Sequence, residues 1–314
     1  MPKLSISVSC FPVNTPSYNG TKTLDISKHR CLKFAATLGG TILQAGTKQN
    51  SHTLTMASYK ALALKAAIDF TGTQIAMPLP YIELDPTEKR NISFWTGMTF
   101  ASIAANDILG VNKLLHAASM SNQGKLVRVD PKSCSLADFI GTDANGDWHI
   151  IEAKADQDNA SKKDRGKWKN QAQTVASIER KTPFTCSYCF TRVASTYSVE
   201  LIDPPSRDAT QELSFPHGDQ DIVNFYYGAL RDELRNSNLI VERDGRTILL
   251  VQTAYDLADR EYVFMGMEEH CFKTVEPLRG ELPAPIIPFD GPDCYLGADG
   301  IALITSAHPT PSKF

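Results

Sequence analysis

A chain of 314 residues with ordinary apolar (42%) and charged (21%) fractions can bury a sizeable core, and no window in it is long and apolar enough to span a bilayer. A formal net charge of −3 argues against coating nucleic acid by bulk attraction, which needs many Lys/Arg–phosphate contacts, but leaves room for a local basic groove. Seven cysteines at irregular spacing suit reduced thiols, and Met1 to Pro12 lacks a signal-peptide pattern, so a soluble, cytoplasmic protein is expected.

Leu4, Ile6, Val8 and Cys10 alternate with Ser5, Ser7 and Ser9, the period-two pattern of a half-buried strand, so residues 3 to 11 are predicted as β. An apolar stretch from Cys31 to Gln44 is broken by Gly39-Gly40, and Met56 to Phe70 reads as an Ala/Leu/Lys-rich helix. Pro78, Pro80 and Pro86 mark an extended connection. Phe94 to about Ala118 then has helical spacing, with an apolar stripe at Phe100, Ala104, Ile108, Val111 and Leu115. Lys125 to Val129, Leu136 to Thr142 and Asp147 to Ala155 follow as short strands, Gly166 to Lys181 as a helix and Thr185 to Ala194 as a strand. The order is α-β-β-β-α-β. After Pro204-Pro205, a helix near Asp219 to Asn236 precedes strands Leu239 to Glu242 and Thr247 to Thr253, a hairpin turning at Asp244-Gly245. Pro277, Pro283, Pro285, Pro288 and Pro292 keep the rest poor in regular structure until a final strand at Gly300 to Thr305. The fold class is mixed α/β.

The informative segment runs from Leu136 to Lys154. If Ala144-Asn145-Gly146 is a three-residue hairpin loop with Gly146 left-handed, Asp143 pairs with Asp147. That register puts Asp138 directly opposite Glu152, with Cβ atoms roughly 5 Å apart, and Lys154 on the same face. Two carboxylates held so close repel unless a cation or a proton sits between them. A hard divalent ion such as Mg²⁺ or Mn²⁺ relieves the repulsion and keeps positions open for water and a phosphate oxygen, as phosphodiester hydrolysis requires. Lys154 would orient that water or neutralise developing charge. Ile150 and Ile151 make the second strand apolar on both faces, as in a central strand.

With these residues and this element order, the segment from about Phe94 to Asp203 resembles the PD-(D/E)xK nuclease superfamily, the restriction-endonuclease-like fold. The resemblance rests on Asp138 and on Glu152-Ala153-Lys154, with Ala137 standing where the motif has its proline. It implies metal binding by Asp138, Glu152 and the Ala153 carbonyl, and assistance to the attacking water by Lys154. It also implies a core at residues 91–205, leaving an α/β region of no assigned role at 1–90 and an α+β region at 206–314.

Asp107 falls inside the stripe formed by Ile103, Ala104, Val111 and Leu114, so it is either capped by hydrogen bonds or directed at a cation. Members of the resembled family often carry an acid on this helix, which makes Asp107 a candidate fourth metal ligand pointing into the same cavity. On the later helix Trp168, Ala172, Val175 and Ala176 define the buried face, with Gln171 at its edge and Gln173 pointing away. Gln171 is similar to the glutamine of RecB-type and Cas4-type enzymes, although Val175 stands where their downstream tyrosine would be. Lys162, Lys163, Arg165, Lys167 and Lys169 form the densest basic run and are candidate phosphate contacts. Cys186 and Cys189 lie three apart in a strand and face opposite ways, and no zinc set completes them. His149, His217 and His270 are scattered, without a Ser or Cys nucleophile context.

The expected function is a Mg²⁺- or Mn²⁺-dependent nuclease acting on nucleic acid, DNA before RNA, in defence, restriction or repair. The alternatives are an RNA-cutting, toxin-like member, or an inactive nuclease fold that binds nucleic acid or a protein partner. The terminal regions are candidates for a partner or for self-association.

Overall fold

The computed structural model describes residues 1–12, 18–38, 50–128, 136–205, 209–276 and 280–309, with 50–52 as backbone only. Gly39 to Gln44, Val129 and Pro277, all named above, lie outside these residues. β1 (Lys3–Ser9) buries Leu4, Ile6 and Val8 and leaves Lys3, Ser5 and Ser7 exposed, as its alternation requires. It pairs antiparallel with β2 (Gly20–Asp25). Ser27 caps α1 (Lys28–Thr37) by accepting from the Arg30 amide, and α2 (Asn50–Ala67) packs beside it.

The proline-marked connection is partly helical. α3 (Leu79–Glu83) begins after Pro78, and α4 (Pro86–Leu109) starts eight residues before its predicted position. Pro86 sits in the first helical turn, where its missing N–H costs nothing, and Asp85 and Glu88 form a reciprocal capping box. At the other end the predicted helix runs too long. Gly110 adopts φ 71° and stops it, so Val111 and Leu115 belong to the next segment, which contains β3 (Lys113–His116). The apolar spacing continued past a glycine that the backbone uses as a terminator.

After α5 (Ala117–Asn122), the strand expected at Lys125 shrinks to β4 (Val127–Arg128) and leaves the main sheet. β5 (Phe139–Thr142) and β6 (Trp148–Asp156) form the predicted hairpin. α6 (Lys162–Ala172) starts earlier and ends earlier than expected, because Ser161 accepts from the Asp164 amide and caps it. Val175 and Ala176 leave the helix for β7 (Val175–Ile178), whose partner β10 (Gln211–Ser214) supplies the hydrogen bonds a helix would have made. β8 (Thr185–Val193) and β9 (Tyr197–Ile202) close the segment.

The main sheet has the order β2-β1-β9-β8-β6-β5-β3. β6 runs antiparallel to β5 and parallel to β8, with α6 in the crossover. One sheet face is covered by α4, which packs on β6 and β8, and the other by α6, whose Trp168 stacks on Phe190 at 5.2 Å between ring centroids. A small sheet of β4, β10 and β7 lies apart.

α7 (Asp219–Leu234) leads to the hairpin of β11 (Leu239–Arg243) and β12 (Arg246–Asp256), turning at Asp244-Gly245 as predicted. β13 (Glu261–Glu268), α8 (Glu269–Val275), β14 (Phe289–Asp290), β15 (Cys294–Leu296) and β16 (Ile301–Ser306) complete a six-stranded sheet and its helix. The expected boundaries at residues 90 and 205 do not divide the packing: one buried cluster contains Leu4, Phe34, Phe100, Ile151, Leu230 and Met265. Lys33 of α1 is buried against Asp299, Nζ to Oδ2 2.6 Å, and Tyr226 donates to the same oxygen at 2.7 Å. Among the described residues no helix is long and apolar enough to cross a membrane, and the cysteines are free thiols.

Candidate active site

The β5–β6 register is the expected one. Phe139 pairs with Ile151 and Thr142 with Trp148, Gly146 has φ 78°, and the Asp143 amide donates to the Asp147 carbonyl at 3.2 Å. Backbone pairing ends at Phe139–Ile151, and side chains carry the next rung. The Asp138 amide donates to Glu152 Oε2 at 3.2 Å, and the Ala153 amide donates to Asp138 Oδ2 at 2.9 Å. Lys154 Nζ lies 2.5 Å from Glu152 Oε1 and 3.6 Å from Asp138 Oδ2. Asp138, Glu152 and Lys154 are thus brought together where the ladder opens.

Glu152 is 1% exposed, so burial first and the Asp138 charge second push its carboxyl up to about 7, against the pull of Lys154. Burial works against the Lys154 ammonium, but Asp138 and Glu152 outweigh it and hold it above its ordinary value. An acid raised in the folded state favours its protonated form there. Its contribution to stability is therefore lost as pH rises from the carboxylate range through about 7. Glu152→Gln should accordingly raise the thermal midpoint by several degrees at pH 8 without divalent ions, and by much less at pH 5. A lower midpoint at pH 8 would mean that the Lys154 contact outweighs the burial cost.

Glu152 Oε1 is buried and receives no aligned hydrogen bond; its charge contact is Lys154. Asp138 Oδ1 likewise has no protein donor among the described residues. Glu152 thus spends Oε2 on backbone and turns Oε1 to Lys154, whereas Asp138 uses Oδ2 for both the Ala153 amide and Lys154 and keeps Oδ1 uncommitted. This fits a hard divalent ion, which binds through one or two carboxylates and keeps several waters. No three His, Cys, Asp or Glu side chains converge as a metal-holding group among the described residues.

Asp107 is not part of this cluster. It is ion-paired with Arg30 of α1, and burial raises its carboxyl against the pull of that guanidinium. α4 comes close to β6 at Gly97, where a Cβ would meet the Ala155 Cβ at 2.9 Å and the Lys154 carbonyl at 3.1 Å. Asp107 lies ten residues further along the helix, roughly 15 Å away, which takes it past the site. Near Lys154 the helix instead brings Lys89, Arg90 and Ser93 to a cavity of about 510 Å³ that Asp156 and Asp158 share.

On α6, Lys162, Lys163 and Lys167 are exposed and Lys169 is half-buried, whereas Arg165 is engaged by Glu200 at 2.5 Å. Gln171 is half-buried in the last turn, its carbonyl accepting from Thr174 Oγ1 at 3.0 Å. Gln173, expected to point away, is buried and donates to the Pro204 and Pro205 carbonyls. Trp168 packs on Tyr188 and Phe190 as a core residue. Cys189 is buried and Cys186 half-buried, on opposite faces of β8.

His116 was missed in the sequence. It ends β3 beside Phe139, and the following amide of Ala117 donates to the Asp138 carbonyl at 3.0 Å. Burial lowers the His116 imidazole, the Asp138 charge opposes this, and Lys60 of α2 lowers it further. The terminator Gly110 was the signal that a strand, not more helix, leads to this histidine. Compared with family models, curated proteins and solved structures, the chain has no significant match in any of the three.

Proposed function

We propose that the chain is a divalent-metal-dependent nuclease of the PD-(D/E)xK type, its restriction-endonuclease-like core running from α4 to β9, and that it hydrolyses phosphodiester bonds, with DNA the preferred substrate. The reading rests chiefly on one observation: Asp138 and buried Glu152 share the cation position now filled by Lys154, at the rung where the β5–β6 ladder gives way to side chains. Asp138 Oδ1 and Glu152 Oε1 would hold the ion, with the Ala153 carbonyl beside them. When bound, Mg²⁺ or Mn²⁺ supplies charge stabilisation at the phosphate and an acidified water. Lys154 is then released toward water or phosphate, while Lys162, Lys163, Lys167 and Lys169 offer phosphate contacts along α6. Gln171 remains a candidate positioning residue and Asp107 is left out.

The test is cleavage of plasmid, single-stranded DNA and RNA by the purified chain with Mg²⁺, Mn²⁺ or EDTA. Divalent-dependent cutting that disappears in folded Asp138→Asn is expected. A folded parent that binds these substrates but cuts none of them, with either ion, would leave the binding-only alternative standing.

A further inference from the structure

The cavity of about 510 Å³ beside Lys154 is a cleft between the first turns of α4 and the end of β6. Lys89 and Arg90 line it from the helix and Lys154 from the strand. Lys154 is committed to Glu152 and Asp138, whereas Lys89 and Arg90 form no ion pair among the described residues. Of the two acids in the cleft, Asp156 turns Oδ1 back to the amides of Gln157 and Asp158 at 2.7 and 3.3 Å, and Asp158 is exposed. Three cations against two acids leave the described lining net positive in a chain whose net charge is −3.

Phe94 stands one turn beyond Arg90 on the same helix face and lines the same cleft. It is 51% exposed, although its neighbours Ile92 and Trp95 pack on the core. This wall is held in place by Tyr81, whose hydroxyl donates to the Lys89 carbonyl at 3.2 Å and shares a hydrogen bond with Ser93 Oγ at 2.8 Å. Phe94 precedes Gly97 by three residues and Arg90 precedes it by seven. They therefore stand roughly 5 and 10 Å back along the helix from the point where α4 meets Lys154.

A lone exposed apolar side chain is ordinary. An exposed ring beside two uncommitted cations, next to a phosphodiester site, combines the two parts of a single-strand cradle: a basic track for phosphates and a face for bases. The ring also decides between a single strand and a duplex. Paired bases stack on one another and show a protein only their edges and backbone, so against a duplex Phe94 would meet sugar and phosphate. An unpaired base has a free π-face that covers the ring.

Building on the nuclease reading, we propose that this cleft seats an unpaired nucleotide of a single strand, DNA or RNA, with its base stacked on Phe94 and its flanking phosphates at Lys89 and Arg90, on the way to the Asp138–Glu152 cation position.

Binding to the full chain is measured in EDTA by fluorescence anisotropy, with labelled oligo-dT, oligo-dA and oligo-U and a blunt DNA duplex of the same length. The single strands should bind about tenfold or more tighter than the duplex. Phe94→Ala should weaken single-strand binding by about tenfold, the effect of one lost stacking contact, and leave duplex binding and melting unchanged. Phe94→Trp should keep the parent's affinity. Arg90→Gln should flatten the dependence of log affinity on log salt by about 0.7 for single strands, as expected of one lost phosphate contact. Binding of oligo-dT and oligo-dA alone assigns a DNA strand; equal binding of oligo-U assigns a site indifferent to the sugar. Duplex binding as tight as single-strand binding, no binding of any strand, or parent-like single-strand binding by Phe94→Ala would overturn the proposal. The cleavage assay fails separately. A chain that cuts with Mg²⁺ but is indifferent to Phe94→Ala keeps the nuclease reading and loses the cleft, and one that binds through Phe94 but never cuts does the reverse.

Discussion

Lys154→Met should slow cleavage by about 10²-fold or more while divalent-ion affinity stays level or rises, because the methionine keeps the stem and removes the charge. The expected rise in affinity comes from geometry. Lys154 now contacts Glu152 Oε1 and Asp138 Oδ2, so a divalent ion must displace an ammonium already neutralising the pair. Without that tethered competitor the two carboxylates repel more strongly and gain more from an external cation. Mn²⁺ titration and initial cleavage rates on the same preparation separate the two effects, with melts to confirm folding. Equal rates for parent and variant would move the chemistry elsewhere. A fall in ion affinity would mean that Lys154 shapes the site rather than competing for it.

The largest loss of stability is expected for Asp299→Ala. Lys33 is buried with its ammonium on Asp299 Oδ2, and burial lowers its pKa while Asp299 opposes the shift. Tyr226 shares that oxygen, Tyr227 donates to the Asp299 carbonyl, and the Ile301 amide donates to Oδ1. Removing the carboxylate strands a buried cation and a phenol together, at a cost of about 3–5 kcal/mol. The thermal midpoint should drop by roughly 10 °C. Adding Lys33→Met should recover part of the loss, because the orphaned charge goes with it. A midpoint within 2 °C of the parent would show that the pair contributes little.

The site was more legible than its surroundings because a hairpin fixes its own register. Ala144-Asn145-Gly146 sets which residues face each other, and Asp138 and Glu152 follow without knowledge of the rest of the chain. Asp107 failed because helical periodicity identifies a face but not what lies opposite. Its stripe faces Arg30, and α1 arrives there through long-range packing. Local signals also misplaced ends: Val111 and Val175 continued apolar patterns beyond Gly110 and Ala172, yet both belong to non-helical backbone. β9 and β13 went unnoticed although each follows its antiparallel neighbour through a short turn, Val193 pairing with Tyr197 and Asp256 with Glu261.

The position of β1 carries a cost in time. It sits inside the main sheet, antiparallel to β2 on one side and parallel to β9 on the other, with Ser5 opposite Ser198. On a ribosome adding 5–20 residues per second, β1 emerges well before β9 and waits roughly 10–40 s for that second neighbour. Until then it has only the β1–β2 ribbon, and an isolated two-stranded ribbon is marginal in water. During synthesis the apolar side of β1, with Leu4, Ile6 and Val8, therefore waits for its cover, making this strand a natural station for a chaperone.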